Sequence, residues 1–383
     1  MRIEDENVRI GAKNARIGTK NARIGAKNAR IGDENASIET ENARIETENV
    51  RIETQNIWNR RELALSDIKR VLRYFQKLMK ENLKKGEKKT MRNDNVLKQD
   101  LKNRANPPGT VFIMHLLFEE KCNLPEKALI QSVMEKHLGE VYCFSYDEKM
   151  VGLAPGKYKT HFERVNKDIP PQLMMTNCLE IEQPLMDEVA KSQLWDCPES
   201  EEIFESCKYQ IFANDMLGAG LGYKDRAEML THYVEALLEL FPTCKAVLFE
   251  TSKKMLVRDR IINCAIPYES RFIYYAVNVR FFNIQGTNDM LVDTLGMSTL
   301  FLPDLQYHFH GMDPNAVVNH AYNVLSYIYD NDNPIKSGDH IDGIKDGKMS
   351  MDIQWRVQYE DSLIQPIRDV LDINMGEYAS GAR

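Results

Sequence analysis

The sequence predicts an α+β fold, with a mixed α/β arrangement as the alternative: one large globular body of mixed sheet and helices, preceded by a heptad-repeat arm. Three observations predict it. From Gly109 onward, short apolar runs of strand length alternate with longer stretches whose apolar residues recur every three or four positions. The break at Asn106-Pro107-Pro108-Gly109 separates that region from a polar, charged N-terminal part. Residues 1–56 consist of eight seven-residue units, from MRIEDEN to VRIETQN, each with Ile third and Asn seventh. The body after the break, residues 109–383, suits one large domain or two close-packed halves.

In the arm, the spacing puts Asn at every a position and Ile at every d position of a coiled-coil heptad. A seam of amides buries little apolar surface. Gly11, Gly18, Gly25 and Gly32 follow Ile in four units, and each costs a helix ~1 kcal/mol against alanine. The expectation for 1–56 is a weakly helical or disordered tract rather than a stable coiled coil. Near-identical units of fixed length are also the translation of an in-frame tandem DNA repeat. Codons for Lys85-Gly86-Glu87 can spell a purine-rich ribosome-binding sequence shortly before Met91. The sequence expectation is therefore a translation start at Met91, with residues 1–90 as upstream read-through. Residues 57–90 carry a stripe of Leu65, Ile68, Leu72, Phe75 and Met79 among eleven basic and four acidic residues, a net +7. That is a basic amphipathic helix whose stripe docks on the body, with an acidic membrane surface or nucleic acid as the alternative. Residues 91–108 form a polar linker.

Within the body, residues 110–118 are a continuous apolar run and read as a buried strand. Residues 125–138 read as a helix with Pro at its start, and 141–146 as a strand. Further strands and loops follow to residue 176. Residues 184–194 and 200–206 read as helices and 208–213 as a strand. Residues 223–240 carry the clearest helical stripe, with Met229, Leu230, Tyr233, Leu237 and Leu240 on one face. Residues 246–250 read as a strand and 258–265 as a short helix. Residues 273–284 and 290–298 read as an antiparallel pair joined at Gly286. Residues 315–330 form a helix behind Pro314, and 354–359 and 370–373 are the closing strands.

Charge is divided unevenly. Residues 1–108 carry a net +9 and the whole chain −7, so residues 109–383 carry −16. An acidic body argues against binding to phosphate backbones, which needs lysine and arginine, and it permits a basic protein partner. The longest apolar stretch of the body, near 111–118, falls far short of the ~20 residues of a membrane helix. Seven cysteines without a CxxC pair read as reduced thiols, and hence as a cytoplasmic protein.

Three constellations are candidates for chemistry. Gly218, Gly220 and Gly222 lie between a strand and the best helix, where glycines let backbone amides approach a phosphate; the spacing departs from GxGxxG. His308 and His310 would share one face of an extended segment and, with Asp304 or Asp313, could hold a metal. The expectation favoured for them is two partly buried histidines at a strand end. His320 and His340 are the candidates for the further ligands such a site needs. Gly338-Asp339-His340-Ile341-Asp342-Gly343 has acids and glycines but not the spacing of a calcium loop, and reads as turns around a short strand. No GxSxG elbow occurs, and no catalytic residue or cofactor is assigned.

Several C-terminal segments carry a family likeness: Asp293-Thr294-Leu295-Gly296-Met297-Ser298, Leu302-Pro303-Asp304-Leu305-Gln306, Gly338-Asp339-His340-Ile341, and Pro366-Ile367-Arg368-Asp369-Val370. They resemble the bacterial family of domain of unknown function 4261. The resemblance spans 109–375 and is most specific at 293–370. It implies an intracellular bacterial protein and supplies no activity, cofactor or catalytic residue. Two functions are thus expected in order: a non-catalytic protein-binding or regulatory module of antitoxin or immunity type, with Tyr322, Tyr327 and Tyr329 as exposed aromatics; and, as the alternative, a metal-dependent enzyme using His308 and His310.

Overall fold

A computed structural model describes residue 109 and residues 111–162 and 166–380. The heptad tract 1–56, the basic stripe 57–90, the linker 91–108 and the start at Met91 lie outside the described residues. In the body, β1 (Ile113–Phe118) leads into α1 (Lys127–Leu138) and the hairpin β2 (Val141–Tyr146) and β3 (Met150–Pro155). The small pair β4 (Thr160–Phe162) and β5 (Lys167–Ile169) precedes β6 (Gln172–Thr176) and β7 (Leu179–Glu180). Two short helices, α2 (Glu188–Lys191) and α3 (Ser200–Ser206), lead to β8 (Tyr209–Met216), the long helix α4 (Tyr223–Leu240), β9 (Ala246–Phe249) and β10 (Lys254–Val257).

These strands build an antiparallel sheet in the order β10-β9-β1-β8-β6-β3-β2, with β7 also beside β8. Strand alternation assigns its two faces. Met114, Leu116 and Phe118 of β1 join the main core with Ile130, Val133, Met134 and Leu138 of α1 and with Met229, Leu230, Tyr233 and Leu237 of α4. Leu117 points the other way, with Ala246, Leu248 and Met255, into a second cluster made by Leu185, Met186, Leu194 and Ile203 of the excursion between β7 and β8. That excursion covers the β1-β9-β10 end of the far face.

The chain continues through α5 (Arg258–Ile262) and α6 (Arg271–Ala276) into a second sheet. Its strands are β11 (Asn278–Asn283), β12 (Met290–Leu295), β13 (Asp304–Phe309), β14 (His340–Lys345), β15 (Lys348–Asp361) and β16 (Asp369–Asn374), with α7 (Pro314–Asp330) between β13 and β14. The order is β11-β12-β13-β16-β15-β14, and only β13 and β16 run parallel. Helix α7 starts where its sequence dictates: Asp313 Oδ1 accepts from the Asn315 amide at 3.0 Å and Pro314 occupies the first turn. Its Val317, Ala321, Val324, Leu325 and Ile328 are buried in the same core as α1 and α4, so one apolar core serves both sheets. The fold is α+β, as expected.

Three local expectations are corrected. The strand expected over 273–284 begins at Asn278, because 271–276 turn as α6 and bury Phe272, Ile273, Tyr275 and Ala276 at helical spacing. The helix expected over 184–194 shrinks to Glu188–Lys191, where Asp187 Oδ1 caps the Ala190 amide at 2.8 Å. Strand β10 (Lys254–Val257) was not expected; its Lys254 interrupts the apolar signal yet is buried, with Nζ 2.9 Å from the Val277 carbonyl and 2.9 Å from Asp196.

Candidate functional site

The glycine turn is filled by protein. Gly218–Gly220 form a single 3-10 turn between β8 and α4. A Cβ on Gly218 would lie 2.2 Å from Asp215 Oδ2, and one on Gly220 would lie 2.1 Å from Thr160 Cγ2. Asp215, fully buried, accepts from the Phe112 amide at 2.6 Å and pairs with Arg226 at 2.9 Å. Gly222 is the residue before the first turn of α4. Gly218 packs over a buried carboxylate and Gly220 against Thr160, a setting that disfavours a phosphate.

His308 and His310 belong to no cluster of three metal-ligating side chains among the described residues. His308 is half-buried on β13, 3.9 Å from Asp289, whereas His310 is exposed beyond the strand end, its Nδ1 3.2 Å from Ser380 Oγ. Asp313 is engaged in capping α7. His320 is buried, with Tyr307 Oη 2.9 Å from Nδ1 and the Asp342 carbonyl 2.7 Å from Nε2, and His340 is exposed on β14. The expected row of exposed tyrosines is also corrected. Tyr327 is 51% exposed, but Tyr329 is buried edge-on against Tyr223 and Tyr322 packs on the core beside Lys254.

One open apolar surface lies at the β2 end of the first sheet. Among the described strands β2 pairs only with β3, so one of its edges is unpaired. The segment Val-Tyr-Cys-Phe-Ser-Tyr turns Val141 inward and leaves Tyr142 70%, Phe144 40% and Tyr146 40% exposed. A bulge between Cys143 and Ser145 re-aims the strand: Phe144 lies across Gly152, where a Cβ would meet its ring at 2.4 Å, while Tyr146 reaches the Pro125 carbonyl at 3.1 Å. Gly152 pairs with Met174, and Met174 pairs with Asn214, which puts half-exposed Met174 in the same row. Asn214 Oδ1, in that row, is buried without a hydrogen-bond partner. Exposed Glu140, Asp147 and Glu148 flank the strand.

A second group gathers where α1 meets α4. His137 ends α1; His232 and Glu235 are one turn apart on α4. Glu239 accepts from Lys136 at 2.7 Å and lies 2.8 Å from His137 Nε2. Arg271 of α6 and the Tyr275 hydroxyl donate to Glu235 Oε1 at 2.7 and 3.1 Å. The ring of Tyr268 packs on His232 with centroids 4.8 Å apart. Burial holds His232 below the ordinary imidazole range and pushes the Tyr268 and Tyr275 hydroxyls up.

A third feature is a cleft of about 670 Å³ at the ends of β1 and β10, reached by Cys122 and Cys244 and rimmed by charges of both signs, among them Glu119, Lys245 and Arg258. The Cys122 amide donates to Cys178 Sγ at 3.3 Å. A hydrogen bond from the Cys122 side chain pulls the Cys178 thiol down to about 7. All seven cysteines are free.

The segments that carried the family likeness meet in the second sheet. Arg368, fully buried, donates Nη2 to Asp293 at 2.7 Å and Nε to Asp304 at 3.1 Å. Arg280 grips the same Asp293 through Nε at 2.8 Å and Nη2 at 2.6 Å. Asp304 further accepts from Thr294 Oγ1 at 3.0 Å and the Met297 amide at 3.1 Å. Residues 293–374 match the family model described as Domain of unknown function (DUF4261). Over that segment the chain is similar to the DUF4261 family. The match leaves the upstream stretch 109–292 outside it. No curated protein and no solved structure matches the chain. The DUF4261 segment therefore contributes a closed ion network, whereas the β2 aromatics and the α1–α4 cluster lie on elements that precede it. No helix among the described residues is long and apolar enough to cross a membrane.

Sequence reasoning missed Tyr142 and Phe144, whose every-second-residue spacing was visible, and His137, His232 and Glu235, of which only His-x-x-Glu at 232–235 gives a local signal.

Proposed function

We propose that the protein is a non-catalytic protein-binding, regulatory module of antitoxin or immunity type, and that it docks a basic partner on the β2 edge of its first sheet. The observation that carries this reading is the pair of exposed aromatics, Tyr142 at 70% and Phe144 at 40%, on a strand whose outer edge no described strand covers. Aromatic side chains offer large contact area at low entropic cost and are over-represented where binding energy concentrates. An uncovered edge adds backbone donors and acceptors for a partner strand. The acidic flank of Glu140, Asp147 and Glu148, on a body of net −16, suits a basic partner and would steer its approach.

The test uses the full chain as bait in an extract of the organism that encodes it, with retained proteins identified by mass. A retained basic protein should then be purified and titrated against the wild type and a Tyr142→Ser/Phe144→Ser double variant. Loss of about 2 kcal/mol per anchor weakens affinity roughly 30-fold for each residue, and raising salt should slow association. No retained protein, or equal affinity for the double variant, would overturn the proposal.

A further inference from the structure

Among the described residues, which include all eight histidines, one group of three side chains has metal-ligand chemistry within reach of a single ion: His137, His232 and Glu235, whose ligand atoms all lie within 4.8 Å of one another. We propose that these three residues bind one divalent transition-metal ion of the Zn2+ class, clamping the end of α1 to α4 and leaving one coordination position open. Two imidazoles and a carboxylate form a borderline-soft set that suits Zn2+ and does not suit Mg2+ or Ca2+, which need oxygen ligands.

Each ligand has an atom to spare. His232 Nδ1 is buried and makes no hydrogen bond, an unmet cost of about 1–3 kcal/mol that a metal would remove. His137 is held through Nε2 by Glu239 at 2.8 Å, which leaves Nδ1 as its ligand atom. A carboxylate behind a metal-binding histidine fixes the ring and raises its basicity. Both contacts to Glu235 land on Oε1, so Oε2 is the oxygen left for the ion. In a tetrahedral site with bonds of about 2.0–2.1 Å, ligand atoms sit about 3.4 Å apart. Closing from 4.8 Å therefore asks for about an ångström of side-chain adjustment by three partly exposed residues. The surrounding charges oppose one another. Glu228 and Glu239 add negative charge, whereas Arg271 on Glu235 and Lys136 on Glu239 compete with the ion. Modest affinity with one-to-one stoichiometry is the outcome that this balance favours. A His-x-x-Glu pair on one helix with a histidine from a neighbouring helix leaves the fourth position to solvent on a half-exposed surface.

The experiment titrates Zn2+ into tag-free, chelator-treated full chain by calorimetry, with Co2+ absorption as a second readout. Wild type should bind one ion per chain, melt at higher temperature with Zn2+, and give the visible spectrum of a four-coordinate Co2+ site. His232→Ala and Glu235→Gln should each lose at least about 100-fold in affinity, and Glu239→Gln about 10-fold, the range for a partner behind a ligand. His137→Gln, at a partly exposed helix end, reads the same loss where the fold is least disturbed. A His308→Ala/His310→Ala variant should bind as wild type. Absence of stoichiometric binding, or binding that survives His137→Gln and disappears with His308 and His310, would overturn the proposal.

Discussion

Replacing Arg368 by methionine tests whether the DUF4261 segment is held together by charge. Methionine keeps the volume of the side-chain stem but removes the guanidinium that touches Asp293 at 2.7 Å and Asp304 at 3.1 Å. The two acids are not left in equal positions. Asp293 keeps the two-pronged grip of Arg280. Asp304 keeps only dipoles, chiefly the Thr294 hydroxyl at 3.0 Å and the Met297 amide at 3.1 Å, and is fully buried. Stranding a buried carboxylate in this way costs about 3–5 kcal/mol, a fall in Tm of roughly 10 °C for a domain of this size. A double variant, Arg368→Met with Asp304→Asn, removes the stranded charge and should recover at least about 1 kcal/mol. The pH dependence gives an independent check. Burial already holds the Asp304 carboxyl above its ordinary 3.8, against the opposing pull of Arg368. A folded value above the unfolded one means that the stability from this group is fully present below about 3.8 and is lost as pH rises through the folded value. Methionine raises the folded value further, so the deficit measured by urea unfolding should be smaller at about pH 5 than at about pH 8. A loss under about 1 kcal/mol, or a double variant no more stable than the single one, would refute the reasoning.

Three other perturbations follow from the same geometry. Gly218→Ala forces a methyl against Asp215 Oδ2, and Gly220→Ala forces one against Thr160; each should cost about 1–3 kcal/mol in thermal unfolding, and unchanged stability would reopen the turn as a ligand loop. Leu237→Ala removes a fully buried side chain where α4 meets the first sheet and should cost about 2–5 kcal/mol by chemical denaturation. The Cys178 thiolate, followed by its ultraviolet absorbance as the difference from a Cys178→Ala variant, should form with a midpoint at about 7, because the Cys122 side chain stabilises it. Cys122→Ala should move that midpoint upward, and an unmoved midpoint would show that the hydrogen bond is not the cause.

What the sequence made legible was local. Helix α4 was readable over its whole length because Met229, Leu230, Tyr233, Leu237 and Leu240 must share one face, and that face is the one that is buried. Helix α6 was misread because Phe272, Ile273, Tyr274 and Tyr275 are β-formers by propensity, and packing against the core overrides propensity. Strand β2 was legible, but its position at the sheet edge was not. Edge status depends on the order β10-β9-β1-β8-β6-β3-β2, in which neighbours are far apart in the chain. The same limit hid the histidine cluster, because His137 and His232 come from helices separated by five intervening strands of the first sheet and meet only when both helices cover the same face.

This division bears on what the family match means for function. The residues that made the C-terminal segments recognisable, Asp293, Thr294, Asp304 and Arg368, are each buried and each bonded to another member of the set. A motif of that kind is explained by the geometry of the second sheet: two acids facing one arginine must keep their partners or the core holds an unpaired charge. It engages the charged and hydroxyl groups of these four residues with one another. The exposed aromatics of β2 and the His137, His232 and Glu235 group stand on the first sheet and its helices, upstream of residue 293. Proteins that share only the matched segment with this chain therefore share a scaffold, and whether they share its binding surface depends on what precedes it. Grafting supplies a direct test: exchange of the Val141–Pro155 hairpin between two such proteins should carry partner preference with it, whereas exchange of the Asp293–Asp304 segment should change stability alone.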